Sequence, residues 1–203
     1  MSHTLICSPT SPFVRKAMVL RLEAVLQDRV ALQPVTTNAL NTAPDARAAN
    51  PLGKIPALLR DGDSTLIDSR VICRYLDELA GSNLYPADRL YDVLSLEALA
   101  DGMMESAVSM VYEALLRPET ERSPAWVEAQ WGKVSHALAA LERGDFAALK
   151  GDLNMGQIAV ACALDYLDFR HPDRNWQADC PTLAAFQKTF AARASMADTY
   201  PAA

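Results

Sequence analysis

A chain of 203 residues, half of them hydrophobic and 22% charged, has an ordinary globular composition, with room for one large domain or two small ones. Its net charge of -6 argues against nucleic acid or an anionic membrane as the main partner. No window is apolar enough for a membrane span, and Met1-Ser2-His3 leads into an apolar run without the features of a secretion signal, so a cytoplasmic location is expected.

Thr4-Leu5-Ile6-Cys7 reads as a strand, and Phe13 to Glu23 as a helix. Between them Ser11 suits the N-cap and Pro12 the first helical position, where its missing N–H costs nothing. Such a turn aims a hydroxyl and free backbone N–H groups at one point, and the helix dipole favours an anion there. Taken alone, it is no more than a cap. Arg29 to Val35 reads as a second strand, with Pro34 marking an edge or an end. Residues 36–49 are polar and irregular, with a short helix.

Ala57 to Arg60 is a third strand, Asp61-Gly62 a turn, and Thr65-Leu66-Ile67 a fourth strand. Asp68-Ser69 then caps a helix whose apolar residues Val71, Ile72, Tyr75, Leu76 and Leu79 recur at helical spacing. The order β-α-β-α-β-β-α predicts an α/β unit with a small mixed sheet. Pro56 stands before its third strand and admits two readings. Either it merely begins the strand, or the Ile55–Pro56 bond is cis, which would free the Ile55 backbone to pair with an extended peptide.

Gly81 to Pro86 breaks the pattern as a linker, and the strand-like runs stop there. A helical stripe runs from Ala87 to Leu116, ended by Pro118, and a second long helix runs from Ser123-Pro124 to Arg143, ended by Gly144. Asn154 with Gln157 reads as a capping box before a very apolar helix. Pro181 begins a last helix to about Ala194, and the tail to Ala203 is expected to be loose. The domain division is therefore 1–80 (α/β), 81–87 (linker) and 88–203 (all-helical). The four cysteines contain no Cys-x-x-Cys pair and the three histidines form no cluster, so no metal site is expected. Cys73 and Cys162, in apolar helical contexts, read as small buried hydrophobes.

Three segments in this order, Ser11-Pro12-Phe13, Asn50-Pro51-Leu52-Gly53-Lys54-Ile55-Pro56 and Ile67-Asp68-Ser69-Arg70-Val71-Ile72, resemble the glutathione S-transferase family. The resemblance spans the chain and implies a thioredoxin-like domain followed by an all-helical one, glutathione as co-substrate with no tightly bound cofactor, a cytoplasmic role in detoxification and a homodimer. It places Ser11 as donor to the glutathione sulfur, beside Phe13. Ile55 before Pro56 becomes the backbone clamp, Asp68 and Ser69 hold the γ-glutamyl end, and Lys54 meets the glycyl carboxylate. Most members have Glu where this chain has Asp68. No lysine or arginine stands near Asn38–Asn41, where some classes use a second basic residue. The resemblance also implies an electrophile pocket lined by Met103, Met104, Ala107 and Tyr112, although a Met stripe equally suits plain core. Asp101 is the residue that would reach across a dimer interface.

Simple energetics support the role of Ser11. A free thiol has a pKa of roughly 8.5, so little of it is thiolate at neutral pH. Lowering that value by about two units requires roughly 2.7 kcal/mol of preferential anion stabilisation. One hydroxyl hydrogen bond to a charged acceptor contributes about 1.5–3 kcal/mol, and a helix N-terminus adds about 0.3–1. Arg15, one turn on, either adds positive potential or is solvated or ion-paired. Serine in place of the cysteine of thiol-transferase members excludes a mixed disulfide at this position, which favours conjugation. The alternatives are a binding or regulatory protein of this fold with little catalysis, or a glutathione-dependent isomerase or dehalogenase.

Overall fold

The computed structural model describes residues 3–201. They form two compact units: one holds the chain up to Tyr85 together with the segment from Ala194 onward, the other Pro86–Arg193.

The first unit is built on a four-stranded sheet of order β2-β1-β3-β4, from β1 (His3–Cys7), β2 (Val30–Pro34), β3 (Ala57–Arg60) and β4 (Asp63–Leu66). β1 runs parallel to β2 and antiparallel to β3, and β3 antiparallel to β4, so the sheet is mixed. β4 starts two residues earlier than its apolar pattern suggests, because Arg60 pairs with Asp63 across the Asp61-Gly62 turn, where Gly62 takes φ 81°. Alternation along the strands sorts the core onto two faces. Ile6 and Ala57 meet Ala46 and Ala49 of α2 (Pro44–Ala49). Their neighbours Leu5 and Leu58, fully buried, point to the opposite side, where α3 (Ser69–Ala80) packs on β3 and α1 (Pro12–Glu23) packs on α3.

The tail is not loose over residues 194–201, and this segment does not belong with the helical half; Ala202 and Ala203 lie outside the described residues. A short helix, α8 (Ala194–Asp198), packs on α1 within the first unit. The reason is polar as well as apolar. Met196 is buried, and the Arg15 guanidinium donates to the Met196 carbonyl and to the Thr199 hydroxyl.

The second unit is helical: α4 (Leu90–Leu116), α5 (Pro124–Arg143), α6 (Met155–Arg170) and α7 (Pro181–Ala191). α6 is buried without a break from Met155 to Leu167, as a helix that is apolar all round must be. It packs closely on α4 because Gly156 lies against Leu96. The Asn154 side chain caps α6 by accepting from the Gln157 N–H at 3.1 Å. The reciprocal half of the expected box does not form: the Gln157 amide donates instead to the carbonyls of Leu149 and Gly151 in the preceding loop. All four cysteines are free and buried. Among the described residues, no helix is long and apolar enough to cross a membrane.

Candidate functional site

The sheet register brings three of the sequence segments to one edge of the first unit. β1 ends at Cys7 beside the start of β3, since Ile6 pairs with Ala57, and β4 ends at Leu66 opposite Leu58. The end of β1, the start of β3 and the end of β4 therefore share one end of the sheet. From that end emerge the Ser11 turn, the 50–56 loop and the Asp68-Ser69 turn. Two twelve-residue helices, α1 and α3, also begin there, so both N-termini contribute partial positive charge.

Ser11 is the N-cap of α1, with extended φ/ψ of -85° and 121° and Pro12 behind it. Its hydroxyl oxygen accepts from the Val14 N–H at a long 3.4 Å. Among the described residues the hydroxyl hydrogen meets no acceptor, which leaves Ser11 able to donate outward. Phe13, next to it, is half-buried.

The Ile55–Pro56 peptide is cis, so the second of the two readings of Pro56 is the one observed. Pro56 is buried, Ile55 half-buried and Lys54 exposed. Among the described residues the Ile55 backbone makes no hydrogen bond, and its N–H and C=O are open to a ligand. The loop before it is held by Asn50, which is 3% exposed. The Asn50 amide donates to the Lys54 carbonyl at 2.9 Å, and its side-chain oxygen accepts from the Leu52 N–H at 3.0 Å. Gly53 closes the turn at φ 64° and lies so near Thr42 that a Cβ would meet its methyl at 2.5 Å. Asn50 lies in one of the three sequence segments, without a role assigned to it there. The signal was present, since Asn before Pro and Gly is a common turn organiser.

Asp68 is the N-cap of α3, its carboxylate accepting from the Arg70 N–H at 3.0 Å. It is exposed, with the Arg70 guanidinium 3.4 Å away, while Ser69 behind it is buried. The Ile67–Asp68 peptide is also cis. The edge thus offers a hydroxyl donor, an open backbone pair, a carboxylate and two helix N-termini, with Lys54 on the surface. Such a set suits a short extended peptide bearing an anionic centre near Ser11 and a cationic amine near Asp68.

The remaining residues singled out from the sequence lie in the helical unit. Met103, Met104 and Ala107 are buried on α4, Tyr112 is exposed, and Asp101 is 5% exposed. Near them in the same unit are groups that the sequence did not flag. The His171 ring donates from Nε2 to the Ala107 carbonyl at 3.0 Å, and burial pushes its pKa down, with Arg174 and Arg170 adding to that effect. Burial pushes the Tyr166 phenol up to about 12. Arg15 proves to be neither solvated nor at the surface; it is 3% exposed and tied to the C-terminal segment.

Both units resemble known proteins. Residues 10–79 match the glutathione S-transferase N-terminal domain, and residues 124–186 match the C-terminal domain. The uncharacterized GST-like protein YibF of Escherichia coli K12 is 34% identical over 97% of this chain and 98% of its own. A glutathione transferase family member from Pseudomonas fluorescens Pf-5, solved with bound glutathione, is 43% identical, covers both chains fully and superposes with a TM-score of 0.96. A further structure from that organism, solved with S-(propanoic acid)-glutathione, is 43% identical, covers 99% of this chain and 100% of its own, and gives a TM-score of 0.91.

Proposed function

The chain belongs to the glutathione S-transferase family, and on that premise we propose that it is a glutathione transferase that activates the glutathione thiol for attack on a hydrophobic electrophile. The observation that carries the reading is the free donor of Ser11 at the N-terminus of α1, on the edge that also presents Ile55 and Asp68. Glutathione lies along that edge as an added extended segment. Its cysteinyl backbone pairs with Ile55 before Pro56, its γ-glutamyl end meets Asp68 and Ser69, its glycyl carboxylate faces Lys54, and its sulfur sits at Ser11 beside Phe13. The ligands of the Pseudomonas structures, glutathione and a glutathione substituted on sulfur, support glutathione as the ligand.

The chemistry asks little of the protein. The thiol proton leaves to solvent, and the thiolate remains because the Ser11 hydroxyl and the α1 dipole stabilise the anion. The sulfur lone pair then forms the C–S bond while the electrophile releases its leaving group, or, on addition to an activated double bond, takes up a proton. On the helical unit Met103, Met104, Ala107 and Tyr112 are the residues assigned to the electrophile's side, Tyr112 being the exposed member. The setting is cytoplasmic detoxification.

We further propose a homodimer. Support comes from an open groove of about 390 Å³ between Leu66, Arg70, Val71, Arg74, Tyr75 and Glu78, in which Val71 is 48% exposed. Light scattering should give twice the 22.1 kDa chain mass, and Val71→Glu should lower it.

The deciding measurement is the ultraviolet difference spectrum of bound glutathione against pH, for the wild type and Ser11→Ala. A thiolate band below pH 7 in the wild type, shifted upward by about one to two pH units in the variant, is the expected result. Saturable binding without the band would replace catalysis by a binding or regulatory role, and no saturable binding at millimolar glutathione would remove the site.

A further inference from the structure

The C-terminal segment meets α1 through one buried cation. Arg15 Nη2 donates to the Met196 carbonyl at 3.0 Å, Arg15 Nε donates to the Thr199 hydroxyl at 3.3 Å, and the guanidinium stacks over the Tyr200 ring at 5.2 Å. Thr199 is fixed in turn, since its hydroxyl donates to the Ser195 carbonyl at 2.7 Å. A second tie lies two turns further along α1, where the Ser195 hydroxyl donates to the Glu23 carboxylate. The segment therefore grips α1 at Arg15 in its first turns and at Glu23, its last residue.

Arg15 is also one link from the site. Its backbone N–H donates to the Ser11 carbonyl at 3.0 Å, the bond that closes the first turn of α1. First turns fray because their N–H groups have few partners, and here the capping contact from Ser11 to Val14 is long. An outside clamp on Arg15 would keep that turn wound.

We propose that the segment Ser195–Tyr200 is a clasp, and that Arg15 is a positioning residue through which it holds the Ser11 donor in place. The inference rests on the glutathione reading above for its catalytic consequence. The clasp itself is a statement about α1. The guanidinium is suited to the task because its planar fork reaches a carbonyl and a hydroxyl at once while its face stacks on an aromatic ring, which an ammonium cannot reproduce.

The test uses the full-length protein with Thr199→Val, Tyr200→Ala and Arg15→Lys, and two readouts. The first is amide hydrogen exchange at Val14 and Arg15, without ligand. The second is the pH midpoint of the bound-thiolate band. Thr199→Val, a near-isosteric change on the tail, keeps the test available should an Arg15 variant not fold. The expected result is about tenfold faster exchange at these amides, with amides of α4 unchanged, and a thiolate midpoint raised by about half a unit or more in each variant. Arg15→Lys should fail to restore either. Unchanged exchange in all three variants would overturn the clasp. Faster exchange with an unmoved midpoint would overturn the positioning role. A wild type without a thiolate band would count against the glutathione reading, while the exchange data still decide the clasp.

Discussion

The side-chain amide of Asn50 reaches across its own loop to the carbonyl of Lys54 at 2.9 Å, and this bond sets the position of the Ile55 backbone that follows. Asn50 is buried, and its oxygen also accepts from Leu52, so removal strands a carbonyl and an N–H together. Asn50→Ala should cost about 1–3 kcal/mol in urea-induced unfolding. It should also raise the KM for glutathione more than it changes kcat, because the clamp and not the Ser11 donor is disturbed. Steady-state kinetics at saturating electrophile would separate the two.

Asp68 does two jobs that one substitution can divide. As N-cap it bonds the Arg70 N–H, and asparagine performs that task about as well. As the carboxylate proposed to meet the amine of the γ-glutamyl end it has no neutral equivalent. Asp68→Asn should therefore leave thermal stability nearly unchanged and weaken glutathione binding about tenfold, roughly 1.4 kcal/mol by calorimetry. Asp68→Ala should lose the affinity and about 1 kcal/mol of stability as well. The exposed ion pair with Arg70 contributes little to either comparison.

Two helical glycines predict opposite outcomes. At Gly156 a Cβ would stand 2.9 Å from Leu96 Cδ2 and 3.0 Å from Leu96 Cβ, so α4 and α6 would have to separate. Gly156→Ala should destabilise by about 1–3 kcal/mol, outweighing a helix-propensity gain of about 1 kcal/mol. At Gly132 nothing lies within 4 Å, and Gly132→Ala should stabilise by about 0.5–1 kcal/mol. Denaturant midpoints of the two variants should fall on either side of the wild type.

His171 makes the helical unit sensitive to acid. Burial holds its folded pKa below the ordinary 6.5, assisted by Arg174 and Arg170, whereas the Ala107 carbonyl opposes the shift. The unfolded chain thus binds this proton more readily, and stability should be constant above about pH 6.5 and fall as the pH drops from there toward the folded pKa. His171→Gln keeps a donor for Ala107 without titrating, and should flatten that part of the stability profile. A profile equally steep in the variant would assign the acid sensitivity to other groups.

The difference between what could be read and what could not follows from the range of the interactions. Ser11 before Pro12, Asp68 before Ser69 and Asp61-Gly62 are local signals, since a cap or turn is decided by residues within one turn of helix or hairpin. They were legible, and because each lies at the end of a strand, the chain's own order of strands brought them to one edge. The cis Ile55–Pro56 bond was legible only as one of two choices; the folded chain made the choice. Gln157 departs from the expected box because its amide has competing acceptors, the carbonyls of Leu149 and Gly151, that only the loop path supplies. The tail departs from expectation for a larger reason. Arg15 and Thr199 are 184 residues apart, and no periodicity or composition records that a polar, alanine-rich end will bury an arginine near the beginning. By itself the sequence determined the two kinds of unit, the family and the segments of the candidate site, because these rest on local chemistry. Tertiary structure alone decided where the segment Ser195–Tyr200 goes and what secures α1, because burying a guanidinium requires acceptors brought together only by the folded chain.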